Sequence, residues 1–168
     1  MRRDMPRIAC ERKGAGHVHA FGSQQESLLR RRAAHAAPDS SSVLILEDEP
    51  LIALLIEDVL EGAGFGVETT YRGEDALDNL ARPKAAYKAL VTDIDTPTEI
   101  DGWEVARHAR ERWPTLPVVY VTAAGAYDWK TKGVARSVVV PKPFAPEELV
   151  SAIRTVTERD RTATSHRA

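Results

Sequence analysis

Residues 43–50 read Val-Leu-Ile-Leu-Glu-Asp-Glu-Pro. Four apolar residues without alternation suit a strand buried on both faces, as in a parallel sheet covered by helices. Glu47, Asp48 and Glu49 end that run. Pro50 suits the first turn of a helix, where its missing N–H costs nothing. Ile52, Leu55, Ile56, Val59 and Ala63 then follow at helical spacing, and Gly62 and Gly64 end the helix. Glu49, before Pro50, is placed to cap it.

Working outward, the same alternation recurs along the chain. Residues 66–70 form a short strand, and 74–81 a helix with Leu77, Leu80 and Ala81 inward. A third strand covers 88–92. A helix over 103–113 is capped by Asp101 and stopped by Pro114. A fourth strand spans 117–122, a weak helix 126–132 and a fifth strand 137–140. The last helix runs over 146–156 with Leu149, Ile153 and Val156 inward. Strands alternating with helices predict an α/β, doubly wound, five-stranded parallel sheet with five helices on its two faces.

The 168 residues suffice for one domain of ordinary size plus tails. The formal net charge is −2, unevenly spread: 1–39 carries a net +4 and 40–157 a net −7. Residues 1–41 lack sustained periodicity apart from a short helix expected at 27–37, and read as a basic, disordered leader. Residues 158–168 read as a flexible tail, leaving 42–157 as the domain. After Val156 no DNA-binding domain fits, so output is expected through this domain's own contacts, with nucleic acid not a partner. The single cysteine, Cys10, excludes an internal disulfide. No apolar run approaches the ~20 residues of a membrane span, and no signal peptide is evident. A cytoplasmic protein without membrane contact is expected.

In an open α/β sheet, sites form at the C-terminal edge of the strands, near the point where strand order reverses. Glu47 and Asp48 stand at the end of the first strand, Asp93 at the end of the third, Thr122 at the end of the fourth and Lys142 just after the fifth. The stretch 90–102, Leu-Val-Thr-Asp-Ile-Asp-Thr-Pro-Thr-Glu-Ile-Asp-Gly, adds Asp95, Glu99 and Asp101. Crowded carboxylates raise one another's pKa. Three of them can share a small volume when a hard divalent cation joins them, and Mg²⁺ takes oxygen ligands with several retained waters.

These motifs together resemble the receiver domain of a bacterial two-component response regulator of the stand-alone type. The resemblance rests on V-L-I-L-E-D-E-P (43–50), L-V-T-D (90–93), D-G-W-E (101–104), V-V-Y-V-T-A (118–123) and P-K-P-F (141–144). It implies a flavodoxin-like fold with strand order 2-1-3-4-5 and a role in phosphorelay signalling rather than as an enzyme. It implies Asp93 as phosphoacceptor. The partner is a sensor histidine kinase or histidine phosphotransfer protein, and the downstream protein target is unknown. Glu47, Asp48, Asp93 and the backbone carbonyl of Asp95 become the Mg²⁺ ligands. Thr122 and Lys142 become the partners of the phosphoryl group, and Ala123 the small residue that leaves the acceptor accessible. The Lys142–Pro143 bond is implied to be cis.

Two departures stand out. Gly102 falls nine residues after Asp93, one more than in most receivers, so the 96–101 loop is longer by one. Where many receivers carry an aromatic toggle, three residues before the lysine, this chain has Val139, expected to be buried already. The 123–129 loop is then expected to carry the switch. Other readings compete. Asp93-Ile94-Asp95-Thr96 also resembles the start of a haloacid-dehalogenase phosphatase, but there the metal-binding acids follow the lysine; here they come first. A pseudo-receiver would lack the acidic pair, acceptor, threonine or lysine. Glu99 reads as a solvated loop acid, and His108 as an exposed helix residue. Trp103 and Trp113 read as partly buried packing residues. Gly62, Gly64 and Gly66 follow a helix, the wrong order for a phosphate loop. Cys10, His17 and His19 lack a fourth metal ligand.

Overall fold

A computed structural model describes residues 42–165 apart from 84 and 98, with the backbone alone from 159 onward. The expected leader, its helix at 27–37 and residues 166–168 lie outside the described residues. The elements are β1 (Ser42–Leu46), α1 (Pro50–Gly62), β2 (Gly66–Thr70), α2 (Gly73–Ala81), β3 (Ala89–Asp93), α3 (Gly102–Arg112), β4 (Val118–Thr122), a 3-10 turn (Gly125–Tyr127), α4 (Trp129–Lys132), β5 (Val138–Pro141) and α5 (Pro146–Ser165). All strand pairs are parallel, in the order β2-β1-β3-β4-β5. The order reverses between β1 and β3, which places the switch point where the acids of 47–48 and 93 end their strands.

Side chains alternate across a strand, so each central strand feeds two cores. On one face Leu44, Leu46, Leu90, Val118 and Tyr120 meet Ala76 and Leu80 of α2 and Trp103, Ala106 and Ala109 of α3. On the other, Val43, Ile45, Val91, Val119 and Val121 meet Ile56 and Leu60 of α1 and Leu149, Ile153 and Val156 of α5. β1, β3 and β4 are buried along their whole length, which is why they read as unbroken apolar runs.

The helix ends show local chemistry at work. Asp101 caps α3 by accepting from the backbone N–H of Glu104 at 2.8 Å, and Arg110 and Arg112 occupy its last turn, where the helix dipole favours cations. Gly64, at φ +88°, takes the left-handed conformation that turns the chain out of α1. Gly102 opens α3 where a β-carbon would run into the carbonyl oxygen of Asp93 and the hydroxyl of Thr92. Glycine there lets α3 start tight against the end of β3.

Several expectations are corrected. Glu49 holds the N-cap position of α1, but its side chain makes no capping bond; its backbone N–H instead donates to Glu47 Oε1 at 3.4 Å. The buried stripe of α1 is Ala53, Ile56 and Leu60, so Leu55 falls outside it and is exposed, together with Leu51 and Leu54. In α2, Ala81 lies past the buried stripe and is exposed, while Ala76 and Asn79 are buried. The weak helix at 126–132 divides into the 3-10 turn and four-residue α4, which buries no residue. Val139 is half-buried, because β5 is an edge strand with one neighbour. Helix α5 continues to Ser165, nine residues past Val156, where the apolar spacing ends the predicted helix.

Candidate functional site

The acidic side of the site is built by β1 and β3. Glu47 follows β1, and its backbone N–H donates to Thr70 O of β2 at 3.1 Å, extending the pairing of the two strands by one residue. It is fully buried, Asp93 nearly so, and Asp48 half-buried. One carboxylate oxygen from each of Glu47, Asp48 and Asp93 lies within 4.8 Å of the others. Both oxygens of Asp93 are engaged. Oδ1 accepts from the backbone N–H of Asp95 at 3.0 Å, and Oδ2 accepts from Lys142 Nζ at 2.6 Å.

Lys142 arrives from the far side of the sheet. Its backbone N–H donates to Thr122 O at 2.7 Å, continuing the β4–β5 ladder, and the Lys142–Pro143 peptide that follows is cis, as the resemblance implies. Its Nζ sits 2.9 Å from each oxygen of Glu47. The approach to Oε1 has hydrogen-bond geometry and that to Oε2 does not, so Oε2 is buried without a hydrogen-bond donor. An orphaned buried oxygen within a knot of three carboxylates fits a hard divalent cation, which accepts such oxygens as ligands.

The electrostatics point the same way. Burial, helped by the Asp93 charge, pushes the Glu47 carboxyl up to about 7 against the lowering effect of its bond to Lys142. An ion pair alone would lower an acid; here desolvation wins, because Glu47 has no access to water. For Lys142, burial acts to lower the ammonium's pKa, but hydrogen bonds to Asp93 and Glu47 outweigh it and the net shift is upward. The site therefore holds a charged lysine against an acid whose ionised form is costly.

The structure brings together four of the predicted side chains, Glu47, Asp48, Asp93 and Lys142. Thr122 is fully buried at the end of β4, and its hydroxyl donates to Asp95 Oδ2 at 2.8 Å while accepting from the backbone N–H of Ala124 at 3.1 Å. Sequence reasoning gave Asp95 a role only through its carbonyl and missed this side-chain bond. The available signal was an acid two residues past the strand end, a distance from which a side chain can cross to the neighbouring strand. Ala123 and Glu99 are exposed, as is His108. Trp103 is buried and Trp113 half-buried. Among the described residues no helix is long and apolar enough to cross a membrane.

Residues 43–154 match the family of response regulator receiver domains, and the chain belongs to that family. It is thus a signalling domain of two-component systems rather than an enzyme in the ordinary sense. Among curated proteins it is similar to the transcriptional regulatory protein TrcR of Mycobacterium tuberculosis, with 29% identity over 148 residues, 86% of this chain and 56% of that protein. It is also similar to the response regulator MprA of Mycobacterium bovis, with 31% identity over 71% of this chain and 52% of that protein. The chain spans about half the length of the curated relatives it matches. Among solved structures, a response regulator receiver protein from Sinorhizobium medicae WSM419 is 34% identical, covering 76% of this chain and 99% of that one, with a TM-score of 0.69. A receiver domain of a Pseudomonas aeruginosa sensor histidine kinase, solved with magnesium in its active-site cleft, is 24% identical. It covers 73% of this chain and 99% of that one, with a TM-score of 0.61, and shares the fold. Family and strand order together set aside the haloacid-dehalogenase reading.

Proposed function

We propose that this domain accepts a phosphoryl group on Asp93 from the phosphohistidine of a sensor histidine kinase or a histidine phosphotransfer protein, and passes the signal on by contact with a protein target. The observation that carries the reading is the Asp93 carboxylate, set among two further acids and hydrogen-bonded to Lys142 at 2.6 Å. A carboxylate oxygen of Asp93 attacks phosphorus, forming the P–O bond of an acyl phosphate. The P–N bond of the donor breaks, and its imidazole departs with the electron pair. Phosphoryl transfer of this kind asks the protein mainly for positioning and charge neutralisation. Lys142 supplies a cation already in contact with the acceptor, and it follows the charge onto a phosphoryl oxygen. Thr122 donates its hydroxyl to another. Glu47, Asp48, Asp93 and the backbone carbonyl of Asp95 would hold Mg²⁺, which supplies compensation for the crowded negative charge when bound. Ala123, small and exposed, leaves the approach to Asp93 open.

The test is labelling by acetyl phosphate, and by the histidine kinases of the host, in the presence of Mg²⁺. The wild-type chain takes up label, while Asp93→Asn does not and excess EDTA abolishes it. Equal labelling of the variant would remove Asp93 as acceptor. Labelling that survives chelation would remove the metal from the mechanism.

A further inference from the structure

Thr122 has a single hydroxyl proton, and in this structure the proton is committed. It is donated to Asp95 Oδ2 at 2.8 Å, and a carboxylate can only accept, so the direction of the bond is fixed. Asp95 is well placed to keep it. Its own backbone N–H is anchored on Asp93 Oδ1 at 3.0 Å, so its carboxylate leaves a main chain already tied to the acceptor. The Thr122 backbone is equally fixed, since its carbonyl accepts from the N–H of Lys142 at 2.7 Å. Only the Thr122 side chain is left to move. Its oxygen also accepts from the N–H of Ala124 at 3.1 Å, the residue just before the 3-10 turn Gly125–Tyr127.

We propose that the Asp95 carboxylate is a positioning residue that acts through Thr122, withholding the threonine hydroxyl until a phosphoryl group takes it. The proposal rests on the reading of Asp93 as phosphoacceptor. A phosphoryl oxygen on Asp93 and the Asp95 carboxylate compete for one proton, and both cannot have it. When the phosphoryl group wins, the Ala124 bond must reform or break, so the exchange is passed directly to the turn that begins the segment leading to α4. The released Asp95 carboxylate then faces a group carrying roughly −1.5 to −2 charges, and the repulsion sets the balance further toward the resting state. The extra residue in the 96–101 loop does not account for this contact, since Asp95 precedes it. The contact depends on the acid at 95 itself.

The experiment uses Asp95→Ala, which keeps the backbone N–H and carbonyl at that exposed position, on the full chain. The first readout needs no phosphodonor: NMR of the resting protein, following the Thr122 methyl shift, its χ1 couplings and the Ala124 amide. The variant should release the Thr122 rotamer and shift the Ala124 amide; spectra unchanged at both residues overturn the proposal. The second readout is beryllofluoride affinity in the presence of Mg²⁺, as a stand-in for the phosphoryl group. Freed of competition, Asp95→Ala should bind about three- to tenfold tighter, the scale of one hydrogen bond to a partly solvated charge. In a Thr122→Ala background most of that gain should be lost, leaving only the part due to charge repulsion. A gain that persists undiminished there would assign the effect to charge repulsion alone and overturn the role through Thr122. Failure of the wild-type chain to bind beryllofluoride would defeat the reading of Asp93, while the resting-state spectra would still decide the Asp95–Thr122 contact.

Discussion

The two halves of the site are built differently. The acidic half stands on β1 and β3, buried at every position and each hydrogen-bonded to a strand on either side. The other half carries Thr122 at the end of β4, a strand as buried and as fully paired as β1 and β3, and Lys142 just past β5, but the segments beyond β4 are loose. β5 is an edge strand with Val138 and Val139 half-buried, α4 buries nothing, and Tyr127 on the preceding turn is 94% exposed. The difference has a physical logic. Carboxylates held close repel one another and will spread if the backbone lets them, so they need walls that do not yield. A response to charge, by contrast, must be drawn from the part of the fold with the least packing to lose. Trp129 marks the boundary: it packs against the core beside Val139 and Val134, and its indole N–H donates to Ser137 Oγ at 2.9 Å.

The comparison can be broken at several points. Truncating the rigid half should cost most. Ile45→Ala removes a fully buried side chain from the middle of β1 and should destabilise the protein by about 2–5 kcal/mol in urea titrations. A loss under about 1 kcal/mol would show that β1 is no stiffer than the other half.

Next comes the buried acid. Glu47 holds its proton up to about pH 7 in the folded protein, against 4.5 for the unfolded reference. Between those values the folded state binds more protons than the unfolded one, so this group's contribution to stability falls as pH rises through the window. In metal-free buffer, Glu47→Gln should therefore gain on the wild type progressively from about pH 4.5 to about pH 7, and level off above. Thermal midpoints that run parallel across that range would mean the Glu47 carboxyl is not strained. The same variant should bind Mg²⁺ more weakly, measured by tryptophan fluorescence or calorimetry.

On the loose side smaller effects are expected. Val139→Ala should leave the response to beryllofluoride largely intact, with changes in amide exchange concentrated over 122–133 and 94–101, and suppressed by Thr122→Ala. Loss of the response in Val139→Ala, with the fold retained, would place the switch on that side chain after all. The smallest effect belongs to Lys132→Ala. Its ion pair with Asp128, 2.8 Å long, joins two side chains that are each more than half exposed, and pairs so open to solvent add little to stability. A larger loss would show that α4 is better anchored than its burial indicates.

Much of this molecule is legible in one dimension because its signals are local. Unbroken apolar runs at 43–46, 89–91 and 118–121 identify strands buried on two faces, and acids or hydroxyls at their C-terminal ends identify one edge of the sheet. With the strand order that the family resemblance implies, that places Glu47, Asp48, Asp93, Thr122 and Lys142 along one edge of the sheet. What the tertiary structure alone decided was the choice among local options that the pattern leaves equal. Helix α1 offers leucines at 51, 54, 55 and 60, and only packing against the sheet and α5 selects Leu60 for the core. Val139 reads as a core residue, yet an edge strand leaves it half-covered. Most telling is the Thr122 hydroxyl, which could reach toward the acceptor or toward Asp95. Its direction is set by how β3 and β4 stand side by side, with Asp93 opposite Val121. Periodicity records which residues face inward; it holds no record of which of two nearby oxygens a proton will choose, because that depends on distances between segments far apart in the chain.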